Sequence, residues 1–356
     1  MSTDSPTPEE SSSASPAAAV KQEDIPAGGK KEVSPRAAVP RRPHISWSDS
    51  YTKANAAIEA LSSIVSHVPP SLTSSETPAL SLLHDPEIAA QISDLLRQPG
   101  SSAGDNHLCR WLYDTFHSSG EPDLHLVVLR FIPIISGVYL SRIALHQPLA
   151  GFEAILLALY AHETVARNGN AATVTIPDLS HSSIYHETKQ AAKASATELA
   201  LAVISPSLEP CGSVRSTKRA RIVGVALELF YNKISQMPLQ SKLDFCEFCK
   251  AWAGGNKDSD ESNGEKRDER RVNLSREILQ PALRILGHCL MGTEKSVELK
   301  TAAREACRCL YDRALHDISP KDILATGSLL KLASSSSHYN REVDYTEIKF
   351  TNKITL

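Results

Sequence analysis

Two stretches carry residue types that could do chemistry. Thr175–Glu187 reads TIPDLSHSSIYHE and places Asp178, His181, His186 and Glu187 close together. Cys246–Cys249 reads CEFC, the spacing of half a zinc site or of a redox pair. With Cys246, Cys249 and His186 combined, the chain would be a cytosolic zinc- or thiol-dependent enzyme. The surroundings of each group favour a plainer reading. Four-ligand zinc needs a second close pair, whereas Cys307-x-Cys309 is spaced too tightly and Cys289 stands alone. Phe245, Phe248, Cys249 and Trp252 fall at i, i+3, i+4, i+7 on one helix face, and Cys289 joins the face of Ile278, Ala282 and Ile285. Buried cysteine packs as a small hydrophobe, so these thiols read as core. His181, His186 and Glu187 would have to coordinate from a loop, without HExxH spacing. Asp178 and Ser180 read as turn or cap residues reaching backbone N–H groups. Tyr185 and His186 then hydrogen-bond across a structural crossover. His162-Glu163 reads as a solvated helix end. No catalytic residue, metal ligand or cofactor is assigned. Without a GxxxxGK[ST], GxGxxG or GxSxG motif, the reading is of a binding or scaffolding chain rather than an enzyme.

Charge supplies one further candidate. Arg215, Lys218, Arg219 and Arg221 cluster beside a helix start and could touch anionic lipid headgroups or act as a weak nuclear-import signal. A solvated helix face is the simpler account, because each basic residue contributes only about 1 kcal/mol near an anionic surface. The net charge of −3 gives no global basic field, so no nucleic-acid partner is expected.

The elements that hold these residues are nearly all helical. Aromatics are 5% of the chain while Ala and Leu dominate, a composition that favours helices over sheets. Ser48 caps a helix to about His67, and PPSLTSS breaks it. Leu80–Leu83, Pro86–Arg97 and a helix holding Leu108–Phe116 follow. Leu124–Leu145 is apolar on most sides, bent at Pro133, and therefore central. Pro148–Arg167 comes next. Ala171–Ile176 is the one convincing extended piece. Helices resume at Lys189–Ile204, Thr217–Gln236, Leu239–Trp252, Leu274–Met291, Ser296–Leu315 and Pro320–Leu332.

The fold class is thus all-α, an irregular stack of antiparallel helices with one short extended segment. Residues 1–44 are rich in Ser, Pro and Ala and read as a disordered tail with four Ser/Thr-Pro sites, at Ser5, Thr7, Ser15 and Ser34. The domain spans 45–334, interrupted by a charged, disordered insertion at 254–272, and 335–356 form a tail. The seven cysteines, the polar N-terminus and the lack of a run of about 18 apolar residues predict an intracellular chain that reaches membranes only peripherally.

Several of these stretches resemble the hyccin family. Ser119–Ser141 (SGEPDLHLVVLRFIPIISGVYLS) and Gly151–Val165 (GFEAILLALYAHETV) carry the likeness, followed by Thr173–Glu187 with its Ile-Pro-x-Leu-Ser and Ile-Tyr-His-Glu pieces. Ala226–Cys249 and Tyr311–Ser334 continue it in order, so that it covers roughly residues 48–334. The resemblance implies an all-helical, non-catalytic scaffold subunit of the type III alpha phosphatidylinositol 4-kinase complex. It implies three partners: a tetratricopeptide-type helical subunit, the kinase and a membrane-anchor subunit. It also implies residence in the cytosol and at the plasma membrane, in support of phosphatidylinositol 4-phosphate production. A partner would be stabilised by mass action through a large apolar helical face. The helices Tyr51–Val65 and Leu108–Phe116 are candidate contact faces, although most of their apolar side chains read as the domain's own core. A generic helical adaptor is the alternative.

Overall fold

Ala- and Leu-rich amphipathic runs, most of them opened by a proline or a side-chain cap, give thirteen α-helices and one small sheet among the described residues. The computed structural model describes residues 47–177, 199–210, 218–254, 274–294 and 296–338. The helices are α1 (Trp47–Ser62), α2 (Pro70–Thr73), α3 (Pro78–His84), α4 (Pro86–Arg97), α5 (His107–Ser119), α6 (Pro122–Arg130), α7 (Ile132–Ala144) and α8 (Ala150–Ala166). After the strands come α9 (Arg219–Asn232), α10 (Leu239–Ala253), α11 (Arg276–Met291), α12 (Val297–His316) and α13 (Pro320–His338).

The helix starts follow capping chemistry. The Asp85 carboxylate accepts from Ile88 N at 2.8 Å before α4, with Pro86 at the first helical position. Asn106 accepts from Cys109 N at 3.0 Å before α5, and Ser296 from Leu299 N at 3.2 Å before α12. The first helix begins two residues earlier than a Ser48 cap would have it, so Ser48 sits in the first turn and its carbonyl accepts from Thr52 Oγ1. Gly120 and Gly254 end α5 and α10 in the left-handed conformation that only glycine adopts without strain.

The expected single helix over Leu124–Leu145 is two helices. The chain breaks at Phe131 and bends by 44° between α6 and α7. Pro133 lies in the first turn of α7, where its ring would clash with a continuing helix and its missing N–H costs nothing. The bent pair is long and apolar enough together to pass as a broken membrane span, but no single described helix is. Its side chains are instead the centre of the body: Leu126 to Phe131, Ile132, Ile135 and Tyr139 are all buried.

Two arginines of this pair tie it to its neighbours. Arg130 Nη1 donates to the Leu83 carbonyl and, at 3.2 Å, to the Asp85 carbonyl, at the C-terminal end of α3. Arg142 donates to the Gln98 carbonyl at the end of α4 (2.5 Å) and to Ser102 Oγ (2.6 Å). Each guanidinium thereby meets a negative helix end, and each lies over an aromatic ring, Phe131 and Phe152 respectively. Burial pulls the Arg130 pKa down to about 10, a value at which it is still charged at neutral pH.

A second correction concerns Lys189–Ile204, read from its sequence as a helix. Leu199–Ser205 is a strand, β2, paired antiparallel with β1 (Ala172–Pro177); residues 189–198 lie outside the described residues. Leu and Ala are good helix formers, so LALAVIS has the wrong local propensity. Pairing with the Thr/Val/Ile-rich β1 overrides it, as β-propensity yields to context. At the far end, α13 continues to His338, past the expected stop at Leu332.

Candidate functional site

The paired thiols come first because they bear on enzyme chemistry. Cys246 and Cys249 project from α10 into the core shared with α11 and α12, and both are fully buried. Cys289 and Cys307 reach the same region. The neighbouring Cys289 thiol and burial push the Cys246 thiol far above the ordinary thiol range; burial does the same to Cys249 and raises Cys307 to about 12. A thiol buried and held protonated in this way sits in the environment of a packing side chain. Among the described residues no group of three or more His, Cys, Asp and Glu side chains is placed to hold a metal ion. The other half of the zinc- or thiol-enzyme hypothesis, Asp178 to Glu187 with His181 and His186, lies outside the described residues, as does Arg215.

His162 and Glu163 separate. His162 is exposed, but Glu163 is buried and not a solvated end. It pairs with Arg167 one turn on, and Arg167 Nη2 donates to Glu228 of α9 at 2.8 Å. Arg284 of α11 lies 3.7 Å from Glu228 and over the Tyr231 ring. Two carboxylates and two guanidiniums thus tie the C-terminal end of α8 to α9 and α11. Their pattern was invisible in sequence because the four residues span three helices.

This lock forms the foot of the sheet. Asn168 and Gly169 turn the chain out of α8 with positive φ, and Leu208 N donates back to the Gly169 carbonyl at 2.9 Å. The Tyr160 hydroxyl donates to the Glu209 carbonyl and accepts from its N–H. The basic cluster also serves here. Arg221 donates to the Pro206 carbonyl at 2.7 Å, Lys218 pairs with Glu209, and Arg219 lies 3.5 Å from Glu153. The three described members of the headgroup candidate therefore each have a partner within the chain.

Beyond this foot, β1 and β2 stand off the body as an arm. In their register Thr173, Thr175 and Pro177 oppose Val203, Leu201 and Leu199 on one face, while Val174 and Ile176 oppose Ala202 and Ala200 on the other. Leu199, Leu201 and Val203 are 66%, 68% and 55% exposed, and Val174 and Ile176 are 41% and 46% exposed. Neither strand contains a charged residue. The arm presents on the order of a few hundred Å² of apolar surface, the size at which patches on soluble monomers mark interaction sites. A lone two-stranded ribbon is marginal in water, so this one depends on its clamped foot.

The two helices expected to offer contact faces mostly serve the core. Ile58 and Leu61 of α1 and Leu108 and Leu112 of α5 are buried, and Trp111 Nε1 donates to the Ala57 carbonyl at 2.9 Å. Their outer sides line a shallow groove of about 390 Å³ bordered by Lys53, Ala56, Ala60, Arg110 and Asp114. A smaller apolar knob lies at the turn between α12 and α13, where Leu315, Ile318 and Leu324 are exposed. Ile318 has φ of 50°, an unusual conformation for a β-branched residue.

The model of the hyccin family, described as hyccin, matches residues 73–355, well over half of the chain. The match spans the helical body from α3 onward, both strands of the arm and residues after α13.

Proposed function

The chain belongs to the hyccin family, and from that premise we propose that it is a non-catalytic scaffold subunit. It stabilises a phosphatidylinositol 4-kinase complex at the plasma membrane and so supports phosphatidylinositol 4-phosphate production. Its partners are a tetratricopeptide-type helical subunit, the kinase and a membrane-anchor subunit, and its own membrane association is peripheral, through them. The observation that carries this reading is the arm: an uncharged ribbon, apolar on both faces, held off a well-packed body. A soluble protein keeps such a surface where a partner covers it. The mechanism is thermodynamic. A subunit that binds only the native state of its partner stabilises that state by mass action, by about 2.7 kcal/mol at a hundredfold excess over Kd.

A mild-detergent pull-down of the tagged chain from a membrane fraction, with mass spectrometry of the bound proteins, tests this function. Recovery of a phosphatidylinositol 4-kinase with a helical-repeat subunit is the expected result. Recovery of the chain alone, or with nuclear proteins only, overturns it.

A further inference from the structure

One histidine of the body is held where a proton is costly. His125 lies in the first turn of α6, where its backbone N–H donates to the Glu121 carbonyl at 3.1 Å. Its ring packs on the Phe116 ring of α5, with centroids 4.5 Å apart, and edge-on to the His162 ring of α8 at 5.5 Å. Phe116 meets His162 edge-on at 5.3 Å, so three rings from three helices close one corner. His125 Nε2 is shut from solvent and has no hydrogen-bond partner among the described residues. A neutral imidazole leaves only a lone pair there, whereas an imidazolium places an N–H without an acceptor.

The charges around the ring act in the same direction. The first turn of a helix is its positive end and disfavours a cation. His162 of α8 and Lys233, just after α9, both oppose a charge on His125. The Phe116 backbone and Glu121 favour one, but Glu121 is already engaged: it accepts from Ser50 Oγ at 2.7 Å and lies 3.5 Å from Lys53 Nζ. Asp123 sits two residues before His125 and so faces another side of α6. On α5, His117 stacks on Tyr113, and Asp114 pairs with Arg110. Glu163, next to His162, is held by Arg167. The other helices packed on α6 are α3, α7 and α9. The one titratable group of α3, His84, lies at its far end, next to the Leu83 carbonyl that Arg130 binds. On α7, Tyr139 donates to Glu153 and Arg142 to Gln98. On α9, Arg219 and Arg221 turn to Glu153 and Pro206, and Glu228 to Arg167 and Arg284. Burial, and next the charge on His162, pull the His125 pKa below the ordinary histidine value of 6.5.

We infer that His125 is an acid-sensitive joint: as a neutral ring it closes the corner of α5, α6 and α8, and a proton on Nε2 loosens it. The folded corner disfavours the proton and the unfolded chain accepts it. The stability the neutral ring contributes is therefore complete above about pH 6.5 and falls away as the pH drops below that value. Glu121 couples the corner to α1. A charged His125 attracts the carboxylate that holds Ser50 and Lys53, so acid weakens the tie between α1 and α6 as well. This inference does not depend on the kinase-complex reading, because every group in it belongs to the body of one chain.

Urea unfolding of the full chain and of His125→Gln between pH 7.5 and 5.5 tests it. Comparing the two removes the contribution of every other titrating group. The unfolding constant of the parent rises with acid severalfold more than that of the variant, with a ceiling of about tenfold for one histidine that titrates near 6.5 when unfolded. Lys233→Met keeps the ring and removes one opposing charge, so it makes the acid loss smaller than in the parent. A purely structural role for His125 would move neither comparison. In the proton spectrum of the parent, the His125 ring resonance, assigned by its absence from His125→Gln, titrates below 6.5. Equal acid dependence in parent and His125→Gln overturns the inference, as does a His125 midpoint at or above 6.5. Should His125→Gln not fold, equal acid dependence in parent and Lys233→Met overturns it.

Discussion

In the body, even the arginines inside the core end on a partner; in the arm, five large apolar side chains end in water. Arg130 and Arg142 close the ends of α3 and α4, and Arg167 and Arg284 bind Glu163 and Glu228 across three helices. The buried arginines of the body thus each face a carbonyl or a carboxylate of the same chain. The arm has the inverse arrangement: Leu199, Leu201 and Val203 are exposed, yet its foot is clamped by Tyr160, Arg221 and Leu208. A rigid foot under an uncovered apolar ribbon is the arrangement expected of a surface kept for contact. The difference between the two regions is between side chains that pack within the chain and side chains that it leaves exposed.

Substitutions can break or sharpen that contrast. The largest effect belongs to the body. Arg130→Ala strands the carbonyls of Leu83 and Asp85 and loses the contact with Phe131, so a loss of about 3 kcal/mol is expected in urea unfolding. Gly224→Ala comes next. A Cβ there would lie 2.4 Å from the Glu277 carbonyl, so α9 and α11 must move apart, at a cost of about 2 kcal/mol read in the same way. Ile318→Gly has the opposite sign. It relieves a left-handed β-branched residue whose side chain is 80% exposed, and stability should rise by about 1 kcal/mol. If binding falls while stability rises, the knob at Ile318 is a second contact surface. The smallest effect is expected in the arm. Leu201→Thr keeps β-propensity and removes exposed apolar surface, so stability should stay within about 0.5 kcal/mol. A thermal or urea loss as large as that of Arg130→Ala would mean the arm is core after all.

Much of this was legible in the sequence, for physical reasons that can be stated. The 3.6-residue apolar period placed Phe245, Phe248, Cys249 and Trp252 on one face, and the same face is buried in the structure. That single pattern placed Cys249 among core side chains, where the structure has it. The extended nature of β1 showed in Thr173, Val174, Thr175 and Ile176. Its partner did not, because Leu199–Ser205 is built from helix formers and becomes a strand only through a pairing that local propensity does not encode. The break at Phe131 was displaced in the reading to Pro133, since a proline acts on the turn before it. Glu163 looked like a helix-end residue because the groups that complete its cluster, Glu228 and Arg284, come from α9 and α11, far along the chain, and reach it through Arg167. The basic cluster showed as charge in sequence, but not that Lys218 and Arg221 hold the arm's foot.

The most direct test of the central claim compares the parent chain with a Leu199→Thr/Leu201→Thr/Val203→Thr variant in the same membrane-fraction pull-down, with the urea midpoint of each purified chain measured alongside. The account predicts near-equal midpoints and a loss of partner recovery of tenfold or more in the variant. Unchanged recovery at an unchanged midpoint would contradict it, and would move the contact surface away from the arm.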